Sequence, residues 1–309
     1  MHSIPTILLQ QLQTLDPGAE FSGTPPRIVS STGTHYYAKL GSPAEQEQYL
    51  GEAESLKHID AAAPRLAPRV LASGVDGDRP YMISEYKNLT AVGKAAAKEL
   101  AKRLATELHR YKSLEGFGFA VPTYCGATRL QNGRFHSWEA CFGALVGDLL
   151  AQLAKKGRYA SLCAKGERIQ QEVIPRLLGA RPLVIQPVLL HGDLWSGNIG
   201  QSEDGDPVIF DPASYYGHNE ADLAIARIFG GFPESFFKTY HEHLPKTEPV
   251  EQYDLRSDLY QLFHYLNHTL LFGVNLQRRN PGCHLRPSFQ GHYASSAERK
   301  MDILLDAKL

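Results

Sequence analysis

Apolar positions are spaced in two different ways along this chain, and the change falls near residue 86. Before it, short β-prone runs alternate with turns. Arg27–Ser30 and His35–Leu40 read as strands separated by Ser31-Thr32-Gly33-Thr34, and 69–72 and 80–86 read as two more around Gly74, Gly77 and Asp78. Between the two pairs, SPAEQEQYLGEAESLKHI predicts a helix. Ser42 caps it, Pro43 suits its first turn, Glu45 completes a capping box, and Glu52, Leu56 and Ile59 fall on one face. A leading helix places Ile4, Ile7, Leu8 and Leu12 together and stops at Asp16-Pro17-Gly18. After residue 86 the period becomes four, with Val92, Ala96, Leu100, Leu104 and Leu108 on one stripe of a helix over 92–109. Further helices are expected at Trp138–Lys155, 161–178, Asn219–Ile228, 233–243 and 254–272, with strands at 184–190 and 207–210. The pattern therefore predicts a small sheet unit over 1–86 and a mostly helical unit over 87–309.

Composition narrows the class. The chain has 309 residues, 32 basic against 33 acidic side chains, and a net charge of -1. At ~150 residues per domain that length suits two units. Balanced charge argues against nucleic-acid binding over a broad basic face. Cys125, Cys141, Cys163 and Cys283 form no C-x-x-C pair, so free thiols are expected, with Cys125 in a loop. No run approaches the ~20 apolar residues of a membrane span, and the first residues lack a secretory leader, which predicts a soluble, cytoplasmic protein without a membrane partner.

The densest chemistry lies in LLHGDLWSGNI (189–199) and PVIFDPASYYG (207–217), each an apolar run ending in a polar cluster. Asp193 and Asn198 are five residues apart, and Asp211 follows eighteen after Asp193. Singly, such residues are usually turn formers or caps. Together they fill the H-x-D-x-x-x-x-N catalytic loop of kinases and the aspartate on the next strand. Asp193 would then take the proton of an attacking hydroxyl, while the hard oxygens of Asn198 and Asp211 would hold Mg²⁺ against the phosphates of ATP. Lys39, closing its strand, and Glu52, on the following helix, supply the ion pair that positions those phosphates. Glu54 faces elsewhere. Tyr81–Tyr86 reads as a hinge, the Glu85 carbonyl and Tyr86 N–H meeting the adenine edge. His191 and Asp222 are read as structural, Asp222 bracing the catalytic loop, and His218 and Glu220 as supporting residues.

HGDLWSGNI, IFDPASYYGHNEADLAIARIFGGFPESFF and YQLFHYLNHTLLFG, with GEAESL and YMISEY, resemble the fructosamine kinase (ketosamine-3-kinase) family over most of the chain. The resemblance implies an α+β, protein-kinase-like two-lobed fold with a small antiparallel-sheet N-lobe and a mostly helical C-lobe. It implies ATP- and Mg²⁺-dependent phosphorylation of a ketosamine hydroxyl, typically O3, on a small-molecule or protein-bound glycated amine. It also places Trp195 and Ser196 beside the acceptor sugar and Asn267 and His268 on the acceptor side. Relatives carry a glycine-rich turn over the phosphates. Here EFSGTPPRIVSS has Gly23 and two prolines, so that turn is read as Ser22-Gly23-Thr24. A basic stretch over 274–293 brings Arg278, Arg279 and Arg286 and could favour an anionic acceptor or be a solvated loop. Two other readings stay open: a kinase of the aminoglycoside or choline type, and a non-catalytic kinase-fold binding protein.

Overall fold

A computed structural model describes residues 4–273 and 293–307; the stretch 274–292, with Arg278, Arg279 and Arg286, lies outside the described residues. Helix α1 (Thr6–Leu15) buries Leu8 and Leu12 against Ile28, Tyr36, Ala38 and Ile83 of an antiparallel sheet. The sheet comprises β1 (Phe21–Thr24), β2 (Arg27–Ser30), β3 (His35–Leu40), β4 (Val70–Asp76) and β5 (Arg79–Glu85), in the order β1-β2-β3-β5-β4. β1 corrects the sequence reading. Phe21–Thr24 pairs in register with Arg27–Ser30, and Phe21 meets the Tyr36 ring at 6.2 Å, so the chain reverses at the two prolines and not at Ser22-Gly23-Thr24. Gly23 keeps a φ of +104° inside the strand, where a Cβ would stand 2.6 Å from the Arg27 carbonyl. Its requirement is close backbone approach within the hairpin.

Between β3 and β4 runs α2 (Gln46–Ala62), entered through a tight turn at Pro43–Glu45. The Glu45 carboxylate accepts from the Ser42 N–H and hydroxyl at 2.8 and 2.7 Å, as the capping pattern predicts. Leu56 and Ile59 enter the main core, and Glu54 turns outward to Lys57. After Glu85 the chain crosses to the larger lobe, where Thr90 and Gln201 exchange two backbone hydrogen bonds of 2.9 Å.

The larger lobe contains α3 (Lys94–Thr106), β6 (Phe117–Gly118), β7 (Thr123–Cys125), β8 (Thr128–Leu130), β9 (Arg134–Phe135), α4 (Trp138–Lys155), α5 (Ala160–Arg168), β10 (Val188–Leu190), β11 (Ile199–Gln201), β12 (Pro207–Ile209), β13 (Tyr215–Gly217), α6 (Asn219–Ile228), α7 (Glu234–His243), α8 (Tyr253–Phe272) and α9 (Tyr293–Asp306). Its strands form a sheet β10-β13-β6-β9 and the pairs β11-β12 and β7-β8. The pattern predicted two strands in this part. The others are two or three residues long, too short for an alternating period to register. Cys125 is a second correction: it ends β7 and is 2% exposed, not in an open loop. No helix among the described residues is long and apolar enough to cross a membrane.

Several buried charged and polar groups of this lobe are matched to partners. Arg256, 0% exposed, donates to both Glu220 oxygens at 2.7 and 3.1 Å and to the carbonyls of Thr247 and Pro249. His218 bonds to Tyr260 and Thr247 through its two ring nitrogens. Burial lowers His218 and His268 to about 4 and His264 to about 3. These folded-state values lie below the unfolded value of about 6.5, so the unfolded chain takes up protons first as pH falls. The stability these neutral imidazoles permit is complete above about pH 6.5 and is lost as pH drops toward 4. At pH 4.5 each should cost on the order of 2 kcal/mol. Urea midpoints measured from pH 7.5 to 4.5 should fall steadily below pH 6.5; a flat profile would contradict this.

Candidate active site

The polar run after β10 is held by three anchors. First, the Asp222 carboxylate, 2% exposed on α6, accepts from the backbone N–H of His191 at 2.6 Å and of Gly192 at 2.8 Å, and from His109 Nε2 at 3.2 Å. Burial alone would raise its pKa, but the hydrogen bond and charge of His109, with those donors, hold it below the usual carboxylate value. Second, His191 accepts the Asp193 N–H at Nδ1 (3.2 Å) and donates from Nε2 to the Phe210 carbonyl (3.0 Å). That fixes a neutral tautomer and ties the loop to the residue before Asp211. Third, Gly192 has φ +82°, and a Cβ there would stand 2.1 Å from the Ala213 carbonyl, so this position of the motif requires glycine.

A tight turn at Ser196–Asn198 then brings Asn198 back onto Asp193. Its amide nitrogen donates to the Asp193 carbonyl at 2.9 Å and to Oδ2 at 3.2 Å. This uses the donor end and leaves the amide oxygen as a hard ligand. Asp211 sits at φ +53°, a strained conformation for a non-glycine residue of a kind that collects at functional sites. Burial, with the like charges of Asp211 and Asp222 adding, pushes Asp193 up to about 7 against hydrogen bonds from Cys125 and Asn198.

From the smaller lobe, Lys39 on β3 forms an ion pair with Glu52 on α2. Burial works against the ammonium, but the adjoining Glu52 carboxylate outweighs it and raises the Lys39 pKa. Helix α2 is itself fixed to the larger lobe. A Cβ on Gly51 would stand 2.2 Å from the Pro122 carbonyl, the Ser55 hydroxyl accepts the Ser214 N–H at 3.2 Å, and Glu47 accepts from Arg129 and Tyr124.

These groups face one cavity of about 790 Å³, whose walls include Lys39, Glu52, Asp193, Trp195, Asn198, Asp211, Asn267 and His268. Four residues read from sequence as lying beside the nucleotide or the acceptor are not in its wall. Gly23 lies in the β1–β2 hairpin. The Glu85 carboxylate pairs with Lys87 and Arg69, and the Tyr86 ring lies under the Arg27 guanidinium at 4.9 Å. Ser196 packs against Gly231, because the turn after Trp195 rotates it out of the cavity. Asn267 reaches the cavity with its amide already used: it accepts from the Thr128 hydroxyl and donates to the Cys125 carbonyl. His268 donates from Nδ1 to the His264 carbonyl at 2.7 Å and packs beside Phe229 and Phe272. The sequence reading missed Tyr37, Gln48, Tyr124, Cys125 and Phe272, which also line the cavity. They come from several separate elements, and no local motif marks them.

The small antiparallel sheet with one crossing helix, the helical second lobe and the polar cluster between them define the two-lobed fold of the kinase-like phosphotransferases. A family model described as fructosamine kinase matches residues 24–280, and the chain belongs to that family. It is 43% identical to ketosamine-3-kinase of Mus musculus over 77% of this chain and 82% of the mouse protein. It is 34% identical to the chloroplastic protein-ribulosamine 3-kinase of Oryza sativa subsp. indica, over 77% and 68% of the two chains. The crystal structure of a Haemophilus somnus protein assigned as a fructosamine-3-kinase superposes with a TM-score of 0.76 at 21% identity, covering 96% of each chain.

Proposed function

We propose that this protein is an ATP- and Mg²⁺-dependent ketosamine kinase that phosphorylates a sugar hydroxyl, typically O3, of a small or protein-bound glycated amine. The observation that carries the reading is the convergence on one cavity of the Lys39–Glu52 ion pair with Asp193, Asn198 and Asp211. In this reading residues 1–86 form the nucleotide-covering lobe and 87–309 the lobe that holds the acceptor, with ATP between them. Lys39, charged and held by Glu52, binds the phosphates. Asp193 orients the acceptor hydroxyl and takes its proton. The Asn198 amide oxygen and the Asp211 carboxylate suit Mg²⁺, being hard oxygen donors whose other hydrogen-bonding demands are met or absent among the described residues. Bound there, the cation would neutralise phosphate charge during transfer. Trp195, flanked edge-on by Phe229 at 5.9 Å, offers an aromatic face to the apolar face of a sugar. The names of the mouse and rice relatives, a ketosamine and a ribulosamine kinase, support the acceptor class.

ADP release measured with ATP and Mg²⁺ across fructoselysine, ribuloselysine, free fructose, an aminoglycoside and choline tests this. Turnover should depend on a ketosamine, with the phosphate placed by phosphorus NMR. Turnover on choline or the aminoglycoside alone would replace the acceptor class while keeping the kinase. Absence of both turnover and ATP binding would defeat the whole reading.

A further inference from the structure

The floor of the cavity sets two groups that phosphate transfer does not use, Cys125 and His264, beside Asp193. Cys125 at the end of β7, Asp193 in the polar loop and His264 on α8 bring a thiol sulfur, a carboxylate oxygen and a ring nitrogen within 4.8 Å of one another. Cys125 and Asp193 face the cavity, and His264 stands behind them, 3% exposed. His264 Nδ1 is buried without a hydrogen-bond partner among the described residues. Buried polar atoms are seldom left so, and one that is calls for an explanation. Among the described residues Asp193 is approached by the Cys125 thiol and the Asn198 amide, both neutral donors, so a half-buried carboxylate faces the cavity without a cation.

We propose that Cys125, Asp193 and His264 form a binding site for a thiophilic divalent cation of the Zn²⁺ class, separate from the all-oxygen pair Asn198 and Asp211. Sulfur, imidazole nitrogen and carboxylate oxygen are the three donor types Zn²⁺ prefers, whereas Mg²⁺ takes oxygen alone. Three protein ligands with the fourth position open to the cavity match the pattern of accessible zinc sites. Bond lengths of about 2.0–2.3 Å put tetrahedral donors roughly 3.3–3.7 Å apart, so the cluster closes around the ion by side-chain rotation of about 1 Å. On binding, the Cys125 S–H bond gives way to a Zn–S bond and its proton leaves to solvent. Thiolate and carboxylate then balance the two positive charges, which suits an enclosed site. The functional consequence rests on the kinase reading above: with Asp193 coordinated, no carboxylate remains to take the acceptor proton. Zn²⁺ should therefore inhibit, and excess Mg²⁺ should not relieve it.

The test is direct binding, without nucleotide or turnover, so its failure is distinguishable from failure of the kinase reading. The intact chain in excess Mg²⁺ is titrated with Zn²⁺ against a chromophoric chelator, and separately with Co²⁺ in a spectrophotometer. One equivalent of Zn²⁺ should bind, and Co²⁺ should give a thiolate charge-transfer band in the near ultraviolet. Cys125→Ser, nearly the same size, should lose the band and weaken Zn²⁺ binding at least tenfold, since loss even of a supporting partner costs about 10–100-fold. His264→Gln should weaken binding similarly while keeping the thiolate band. Zn²⁺ binding no tighter than millimolar, or a band and affinity unchanged in Cys125→Ser, would overturn the proposal, the latter assigning the metal to another thiol.

Discussion

Replacing Asp193 by Asn should lower kcat by about 10²–10⁴-fold, the range a positioned proton acceptor supplies, with nucleotide affinity nearly unchanged. Asparagine has the same shape and still offers an oxygen to the Asn198 amide, which lies 3.2 Å from Oδ2. It cannot take a proton. The loss should therefore appear in kcat and not in the KM for ATP, since Lys39 and Glu52 reach the cavity from the other lobe. Steady-state kinetics on a ketosamine, paired with calorimetric binding of a non-hydrolysable ATP analogue, separates the two. A kcat within tenfold of the parent would remove Asp193 from the role of base.

The second large effect is expected one layer behind. Asp222→Ala should destabilise the protein by about 3–5 kcal/mol, because it strands two buried backbone N–H groups and the His109 Nε2 donor at once. A melting temperature lower by on the order of 10 °C should accompany it. The same loss frees His191 and Gly192, the two residues that aim Asp193, so activity should fall even at temperatures where the variant remains folded. Asp222→Asn should fall between, since its amide group cannot accept from both N–H groups. Stability of Asp222→Ala within 1 kcal/mol of the parent would mean that the loop is held by other contacts.

What the sequence made legible was local. Strands β2 and β3 and helices α4 and α6 match their predicted limits, because alternation, the four-residue stripe and caps act over neighbouring residues. Asp193, Asn198 and Asp211 were readable for the same reason: one short loop and one short strand set their spacing. Lys39 and Glu52 followed from order alone, a strand residue and the next helix. Misses occurred where long-range pairing decides. β1 is the polar run FSGT and becomes a strand because β2 lies alongside; β6–β9 are too brief to show a period. Ser196 adjoins Trp195 in sequence, yet a single turn sends it to Gly231. Cys125 and His264 are 139 residues apart in the numbering and meet only through packing. Nothing near either residue announces the other.

The ties between α2 and the larger lobe bear on how such an enzyme is governed. In protein kinases the helix carrying the glutamate is a moving part, and positioning it controls activity. Here the contacts of Gly51 with Pro122, Ser55 with Ser214 and Glu47 with Arg129 occupy three successive turns of that helix and tie it to the larger lobe. The ion pair is assembled in the resting chain, without waiting for a modification or a partner to set it. Swinging the helix away from Lys39 would break all three ties together, so the ion pair and the seating of the helix on the larger lobe stand or fall as one.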